Sequence, residues 1–175
     1  MTVTIRSEHA GDIYQIHEVT ACAFSQSELG HHGEADVIER LRNSSSEFVS
    51  LVAEVEGRVV GHILFTPVVI ECGAERVEGM GLAPMSVSPD FQNRGIGTRL
   101  VQAGLDQLRL TQCPFVVVLG HAKFYQRLGF VPASKLGISC EFSGIPDEVF
   151  RIVFLDNNTQ SSVSGVAKYR PEFST

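Results

Sequence analysis

The chain has 175 residues, of which 43% are hydrophobic and 19% are charged, and its formal net charge at pH 7 is −6. This length and composition predict one globular domain whose core is large enough to fold without a disulfide or a bound metal. A negative charge without any cluster of Lys and Arg argues against a nucleic-acid-binding protein.

Membrane and metal-binding classes are also disfavoured. No segment approaches the roughly 18 apolar residues of a membrane span, and the N-terminus lacks the apolar part of a signal peptide. No cysteine lies within four residues of another, which excludes a CxxC zinc or redox pair. The four are Cys22, Cys72, Cys113 and Cys140. We therefore expect a cytoplasmic protein with no membrane partner and no metal.

Apolar periodicity and turn residues predict alternating helices and strands. In chain order the predicted elements are strand 3–6, a helix capped by Asp12, helix 34–42, strands 48–55, 58–67, 68–72 and 76–87, helix 97–110, strand 114–119, helix 122–128, and strands from 130, at 148–155 and at 164–169.

Two of these elements set the expected topology. The run of Phe and Val at 114–119 is typical of a strand buried on both faces. The helix at 97–110 is long enough to be a crossover between this strand and the strand at 76–87, which would then be parallel. Glu56 and Gly57 are a hairpin signal between earlier strands. The sequence thus predicts an α/β fold with a mixed, mostly antiparallel sheet.

The segment from Val87 to Leu100 carries the clearest chemical signal. A buried strand ends at Val87, and a helix begins near Gly97, whose first N–H groups have no partner within the helix and favour an anion. Gly95 and Gly97 allow a bulky diphosphate to approach the backbone, while Arg94 adds positive charge. This strand–loop–helix predicts a pyrophosphate site.

Three nucleotide-type ligands compete for such a site. A P-loop requires a Lys after its second Gly, which is missing here. A dinucleotide-binding fingerprint would be GxGxxG after the first strand, whereas this QxxGxG lies mid-chain. Coenzyme A is the ligand that remains.

The motif Gln92-Asn93-Arg94-Gly95-Ile96-Gly97 resembles the pyrophosphate loop of the GNAT superfamily of N-acyltransferases. The run Phe124-Tyr-Gln-Arg-Leu-Gly-Phe130 resembles that family's FYxRxGF segment. The resemblance extends over residues 3 to about 132 and weakens beyond. It implies one GNAT domain over 1–175, with C-terminal strands at about 133–170, a six- to seven-stranded sheet, and fourth and fifth strands that splay apart for coenzyme A.

The resemblance also implies a function and a set of site residues. The expected function is transfer of the acetyl group of acetyl-CoA to a primary amine by direct attack in a ternary complex. The acceptor would be a small molecule or a peptide, and a homodimer is common in the family. Residues expected to bind the cofactor are Met85, Ser86, Val87, Gln92, Asn93, Arg94, Gly95, Ile96, Gly97, Thr98 and Phe124.

Tyr125 is the expected general acid, because the matching tyrosine protonates the departing thiolate in several family members. The base is left open. Some relatives have His or Glu on the fourth strand, where this chain has Gly81 and Ala83. Glu34 is the tentative base, with Glu78, a water chain and two histidine sites as alternatives. The histidines are His31 with His32, and His121.

Two non-enzymatic hypotheses remain beside this one. The first is a GNAT-like module that binds acetyl-CoA without transfer, which the absence of a fourth-strand base would favour and Tyr125 would oppose. The second is an interaction protein that keeps the fold as a scaffold and gains no thermal stability from acetyl-CoA.

Overall fold

The computed structural model describes residues 1–27, 33–44 and 47–174. Its strands are β1 (Thr4–Ser7), β2 (Val49–Val55), β3 (Arg58–Cys72), β4 (Glu75–Val87), β5 (Phe115–Leu119), β6 (Val131–Pro132), β7 (Ile138–Cys140), β8 (Phe150–Phe154) and β9 (Gly165–Lys168). Its helices are α1 (Ile13–Ser25), α2 (Glu34–Ser44), α3 (Ile96–Leu110), α4 (Ala122–Gln126) and α5 (Asn157–Gln160).

Internal contacts divide the chain into two compact units. The first unit comprises Met1–Phe65 and Pro84–Gly104, and the second comprises Thr66–Ala83 and Leu105–Thr175. Strands β3 and β4 and helix α3 contribute residues to both units.

The first unit is built on an antiparallel sheet. Strand β2 pairs with β1 on one side and with the first half of β3 on the other. The predicted hairpin between β2 and β3 is confirmed, since Glu56 and Gly57 have φ values of 51° and 77°, as a two-residue hairpin turn requires. Helices α1 and α2 pack against each other, and α2 buries Ile38 and Leu41.

The second unit contains the parallel pair that the sequence predicts. Strand β5 is parallel to β4 along Met80–Leu82 and antiparallel to β8, which in turn pairs with β6. Strand β9 is antiparallel to β3 and parallel to β7. The core of this unit includes the fully buried Phe115, Val117 and Ile152. The β5 side chains from Phe115 to Val118 are all buried, as expected for a strand covered on both faces.

The architecture is therefore the predicted α/β fold, with a mixed sheet in which the parallel β4–β5 pair accompanies antiparallel pairs. The described residues form nine strands, where six to seven were expected. The strand at 138–140 was not predicted, because three residues are too few to show periodicity. In the described part of the chain, no helix combines the length and the apolar character needed to cross a membrane.

Two local predictions are wrong for identifiable reasons. The predicted break after Pro67 is absent, and β3 continues to Cys72. The ladder with β2 ends at Phe65, so the missing N–H of Pro67 removes no bond from it. Asp12 precedes α1 without capping it. Its carboxylate instead accepts hydrogen bonds from the Arg6 guanidinium, at 2.6 and 3.0 Å, and from the His9 N–H, at 2.7 Å.

Candidate active site

Residues 92–98, which we call the phosphate loop, lead from β4 into α3 in the first unit. Asn93 and Gly95 have φ values of 58° and 78°, so two residues of the loop adopt the left-handed conformation just before the helix. The Arg99 N–H donates to the Gly95 carbonyl at 3.1 Å. The N–H groups at 96–98 therefore precede the hydrogen-bond ladder of the helix, and they offer an anion the donors that P-loop-type sites use.

The phosphate loop is open around Gly95. No atom lies within 4 Å of the point where a Cβ of Gly95 would be, and residues 92–95 are exposed. The Arg94 guanidinium lies 5.6 Å from the centre of the Phe91 ring, a cation–π contact that holds the charge beside the loop. Space, donors and positive charge thus fit a diphosphate.

The last residues of β4 present a strand edge next to this loop. The Ser88 N–H donates to the Val60 carbonyl of β3 at 2.8 Å. Hydrogen-bonding groups alternate between the two edges of a strand, so those of Met85 and Val87 point away from β3. The Gln92 side-chain amide donates to the Val87 carbonyl at 3.0 Å, which ties the loop to this edge.

The ladder between β4 and β5 covers only Met80–Leu82, although β4 continues to Val87. The alternation of buried side chains along β4 also changes phase at Gly81 and Leu82, which are both buried. A phase change of this kind is typical of an extra residue that turns the strand and ends its pairing. Among residues 1–27, 33–44 and 47–174, the ladder with β5 does not extend along β4 beyond Leu82, which leaves the edge away from β3 without a described strand partner.

Two residues predicted to bind the cofactor have side chains that point into the protein. The Ser86 hydroxyl lies 3.1 Å from that of Thr20 on α1, and both residues are buried. Ile96 is 1% exposed. The side chains of Ser86 and Ile96 are therefore unavailable to a ligand. The backbone groups of Ser86 face β3, whereas the Ile96 N–H lies at the start of α3, where Thr98 is half-buried.

Tyr125 lies in α4 of the second unit and is 5% exposed. Its ring makes edge-to-face contacts with Phe124 and Phe130, at centroid distances of 4.9 and 5.3 Å. A Cβ on Gly120 would lie 2.4 Å from its ring, so only glycine leaves room for it there. Burial raises the pKa of the Tyr125 hydroxyl above 10, which keeps it protonated at neutral pH.

The candidate bases differ in where the structure places them. Glu34 is half-buried in the first turn of α2. Glu78 and His121 are exposed, the first on β4 and the second just before α4. His31 and His32 lie outside the described residues. No group of three or more His, Cys, Asp or Glu side chains in the described part of the chain could hold a metal ion.

A buried polar cluster in the first unit was not predicted. Arg42 of α2 donates to both oxygens of Glu8, at 3.1 and 2.9 Å, and the Ser50 hydroxyl donates to the same carboxylate. Ser50 Oγ also lies 2.8 Å from His62 Nε2, and His62 is fully buried. The single Ser50 proton goes to the carboxylate, so Nε2 must carry the proton of the His62 ring.

This arrangement excludes a Ser-His-carboxylate nucleophile. In such a triad the histidine accepts from the serine and donates to the carboxylate. Here the serine lies between the other two, and His62 cannot remove its proton. Burial opposes the charge of Glu8, but its contacts with His62, Arg42 and Ser50 outweigh this and lower its pKa to about 2. The cluster connects α2 to the sheet. The alternation of polar and apolar residues along β2 and β3 did not indicate it.

The sequence model of the acetyltransferase (GNAT) family matches residues 13–130. The chain belongs to this family. Two relatives from Escherichia coli K12 are named N-acetyltransferases. YjhQ is 40% identical over 125 residues, which cover 70% of this chain and 66% of YjhQ. This chain thus spans slightly less than two thirds of YjhQ. YhbS is 30% identical over 141 residues, which cover 80% of this chain and 83% of YhbS.

Crystal structures of two GNAT proteins resemble this chain over nearly its whole length. YhbS from E. coli in complex with CoA matches with a TM-score of 0.85 and 28% identity, covering 99% of this chain and 92% of YhbS. A GNAT acetyltransferase from Brucella melitensis in complex with acetyl-CoA matches with a TM-score of 0.81 and 31% identity, covering 98% of each chain. These matches establish the GNAT fold.

This GNAT chain has two glycines on β4 that aromatic rings cover. A Cβ on Gly79 would lie 2.6 Å from the ring of Phe115. A Cβ on Gly81 would lie 2.7 Å from Val68 Cγ2 and 3.1 Å from the ring of Tyr169. A side chain at Gly81 would displace these neighbours. This position therefore cannot carry the basic side chain that some relatives have on the fourth strand. The alternation of β9 gave no indication that Tyr169 would cover β4.

Proposed function

We propose that this chain is an N-acetyltransferase that moves the acetyl group of acetyl-CoA to a primary amine. The observation that carries the proposal is the open N-terminus of α3, which the loop at 88–95 connects to the end of β4. Relatives crystallised with CoA and with acetyl-CoA support the choice of co-substrate.

In this proposal the diphosphate binds the phosphate loop, from Gln92 to Thr98. Its contacts are the N–H groups at 96–98 and the Arg94 guanidinium. The pantetheine amides pair with the edge of β4 at Met85 and Val87, as an added strand would. Phe124 contributes apolar contact area, and a backbone N–H of β4 donates to the thioester carbonyl as its oxygen becomes negative.

The chemical step joins the amine nitrogen to the carbonyl carbon and then breaks the carbon–sulfur bond. The nitrogen loses one proton, for which Glu34 is the proposed base, and the leaving sulfur gains one from Tyr125. The products are an N-acetyl amine and free CoA. Burial keeps Tyr125 protonated, which supports its role as donor.

The test is a transfer assay with acetyl-CoA and a panel of amines, comprising a peptide with a free N-terminus, Nα-acetyl-lysine amide, a free amino acid, spermidine and kanamycin. Cys22 and Cys72 are exposed thiols, so a thiol-reactive dye would also report the protein. Mass spectrometry of the acetylated amine and of CoA avoids this problem. We expect equimolar formation of both products with at least one amine.

Three controls separate the proposal from its alternatives. In the absence of an amine, the mass of the protein should not increase by an acetyl group, which excludes an acetyl-enzyme intermediate. Initial-rate plots at varied amine and acetyl-CoA concentrations should intersect, which indicates a ternary complex. Calorimetry with acetyl-CoA identifies the remaining cases. Binding without transfer to any amine would favour a non-catalytic module, and the absence of binding would favour a scaffold protein.

A further inference from the structure

Tyr169 directly follows β9 in the second unit, and its ring is enclosed by contacts from several segments. Its backbone N–H donates to Glu141 Oε1 at 2.6 Å. The ring centroid lies 5.3 Å from that of Phe142 and 5.7 Å from that of Phe173. The ring also reaches β4, where it covers Gly81. These contacts fix the direction in which the hydroxyl points.

The hydroxyl oxygen of Tyr169 is buried, yet it has no hydrogen-bond partner among residues 1–27, 33–44 and 47–174. A buried hydroxyl without a partner destabilises a folded protein, and phenylalanine would fill the same space without that penalty. Groups that break the rule of satisfied polar atoms are concentrated at functional sites. The hydroxyl is therefore a candidate for a contact with a bound molecule.

Its place on β4 points to the molecule concerned. Gly81 lies within the segment Met80–Leu82, where pairing with β5 ends. The matching position in some GNAT proteins carries a side chain that serves as base. Here the ring of Tyr169 fills the space into which a side chain at Gly81 would extend.

We propose that the Tyr169 hydroxyl hydrogen-bonds the acceptor amine and positions it for attack, in the place that Gly81 leaves without a side chain. This inference rests on the acetyl transfer proposed above. The hydroxyl accepts an N–H of the incoming amine and so orients the nitrogen lone pair toward the thioester.

The same surroundings distinguish positioning from proton removal. Burial, and to a smaller extent the nearby Cys140 and Glu141, raise the pKa of Tyr169 well above its usual value of 10. The hydroxyl is therefore neutral at physiological pH and does not act as a base. In this proposal the acceptor reaches the hydroxyl past the ring of Phe173, which belongs to the C-terminal turn Pro171–Ser174.

The chain contains three tyrosines, which provide a matched experiment. Tyr169→Phe removes only the hydroxyl, and Tyr14→Phe is the control, since Tyr14 is 71% exposed on α1. The probe is the amine of the panel that wild-type protein acetylates fastest. For Tyr169→Phe we expect at least a tenfold increase in the KM for the amine, an unchanged Kd for CoA by calorimetry, and a Tm equal to or above that of wild type. Tyr14→Phe should match wild type in all three.

The stability readout separates a functional hydroxyl from a structural one. A lower Tm for Tyr169→Phe would mean that the hydroxyl has a structural partner, and it would overturn the inference. An unchanged amine KM would overturn it as well, while wild-type turnover would leave the proposed function intact. If wild-type protein acetylates no amine, the proposed function fails first and this inference fails with it.

Discussion

Tyr125 and Tyr169 occupy similar environments that are assembled in different ways. Each ring lies against two other aromatic rings and over a glycine that could not carry a Cβ without a steric conflict. For Tyr125 the contacts come from neighbours in sequence, since Phe124, Phe130 and Gly120 all lie within five residues. For Tyr169 only Phe173 is a neighbour in sequence, and the other contacts come from β4 and from Phe142, 27 residues earlier. Local sequence therefore specifies the first environment, whereas only the folded chain creates the second.

The comparison also separates two tasks in the proposed reaction. Both hydroxyls have a pKa raised by burial, so both remain neutral at physiological pH. A neutral hydroxyl can donate to a leaving thiolate or orient an amine, and the kinetic constant that changes shows which of these it does. A proton donor acts in the transition state and affects kcat, whereas a group that orients the amine affects the KM of that substrate.

The largest expected effect is that of Tyr125→Phe. Removing a general acid typically lowers the rate by about 10²-fold or more. We expect a fall of this size in kcat, with the Kd for CoA and the KM for the amine nearly unchanged. Initial-rate kinetics on the best amine of the panel measure this, with Tyr14→Phe as control. Wild-type kcat in the variant would assign Tyr125 to the core alone.

Gly120→Ala should disturb the environment of Tyr125 without removing its hydroxyl. The added Cβ would lie 2.4 Å from Tyr125 Cε2, closer than carbon atoms can approach. Overpacking of this kind costs about 1–3 kcal/mol of unfolding free energy. We expect that loss in urea unfolding, together with a lower kcat because the ring must move.

Gly11→Ala is the matched control for this substitution. No atom lies within 4 Å of a Cβ at Gly11, so its free energy of unfolding should remain close to that of wild type. Wild-type stability and kcat in Gly120→Ala would show that the Tyr125 ring can move without consequence. The environment would then not be needed to hold the hydroxyl.

Gly97→Phe should change a different kinetic constant from either tyrosine variant, namely the KM for acetyl-CoA. Gly97 is the second residue of α3, so a bulky side chain there obstructs the N–H groups proposed to bind the diphosphate. We expect the KM for acetyl-CoA to rise roughly tenfold, equivalent to about 1.4 kcal/mol of binding energy. The KM for the amine should not change. If calorimetry gave the same Kd for CoA as in wild type, the phosphate loop would not be the diphosphate site.

The order of α3 after β4 and the parallel β4–β5 pair were predictable because local signals specify them. Gly95 adopts a left-handed conformation that glycine tolerates well, and Gly97 follows at the helix start. The Phe and Val run of β5 is apolar at every residue because neither face meets water. In each case one short segment contains the whole physical reason for its structure.

The features that were missed depend on partners far apart in sequence. Ser50 and His62 look like polar residues on half-exposed strands, and their burial depends on Glu8 and Arg42, which hydrogen bonding brings to them. Tyr169 covers Gly81 only because β9 pairs with β3, which periodicity within β9 cannot indicate. The residues that contact the acceptor are expected to be of this second kind, and the sequence motifs do not identify them.

His62 is a third buried titratable group, and unlike the two tyrosines it should change the stability of the protein at acid pH. We expect this effect to be the smallest of those predicted. Burial lowers the pKa of His62 below 6.5, although Glu8 opposes the shift. The unfolded chain therefore takes up a proton below about pH 6.5 that the folded chain does not bind, and stability decreases as the pH falls. We expect the unfolding free energy to decrease between pH 7 and pH 5.5 because of this group.

Urea unfolding at the two pH values measures this loss. In His62→Leu the difference in unfolding free energy between pH 7 and pH 5.5 should be smaller, even if the variant is less stable than wild type at each pH. His17→Asn is the control, since His17 lies on α1 with its side chain 51% exposed. Glu8 should add a separate loss of unfolding free energy below pH 4.5, the pKa of its carboxyl in the unfolded chain. Its pKa in the folded chain is about 2, so below pH 4.5 the unfolded chain binds a proton that the folded chain does not. An equal loss in wild type and His62→Leu would mean that His62 accepts a proton in the folded state.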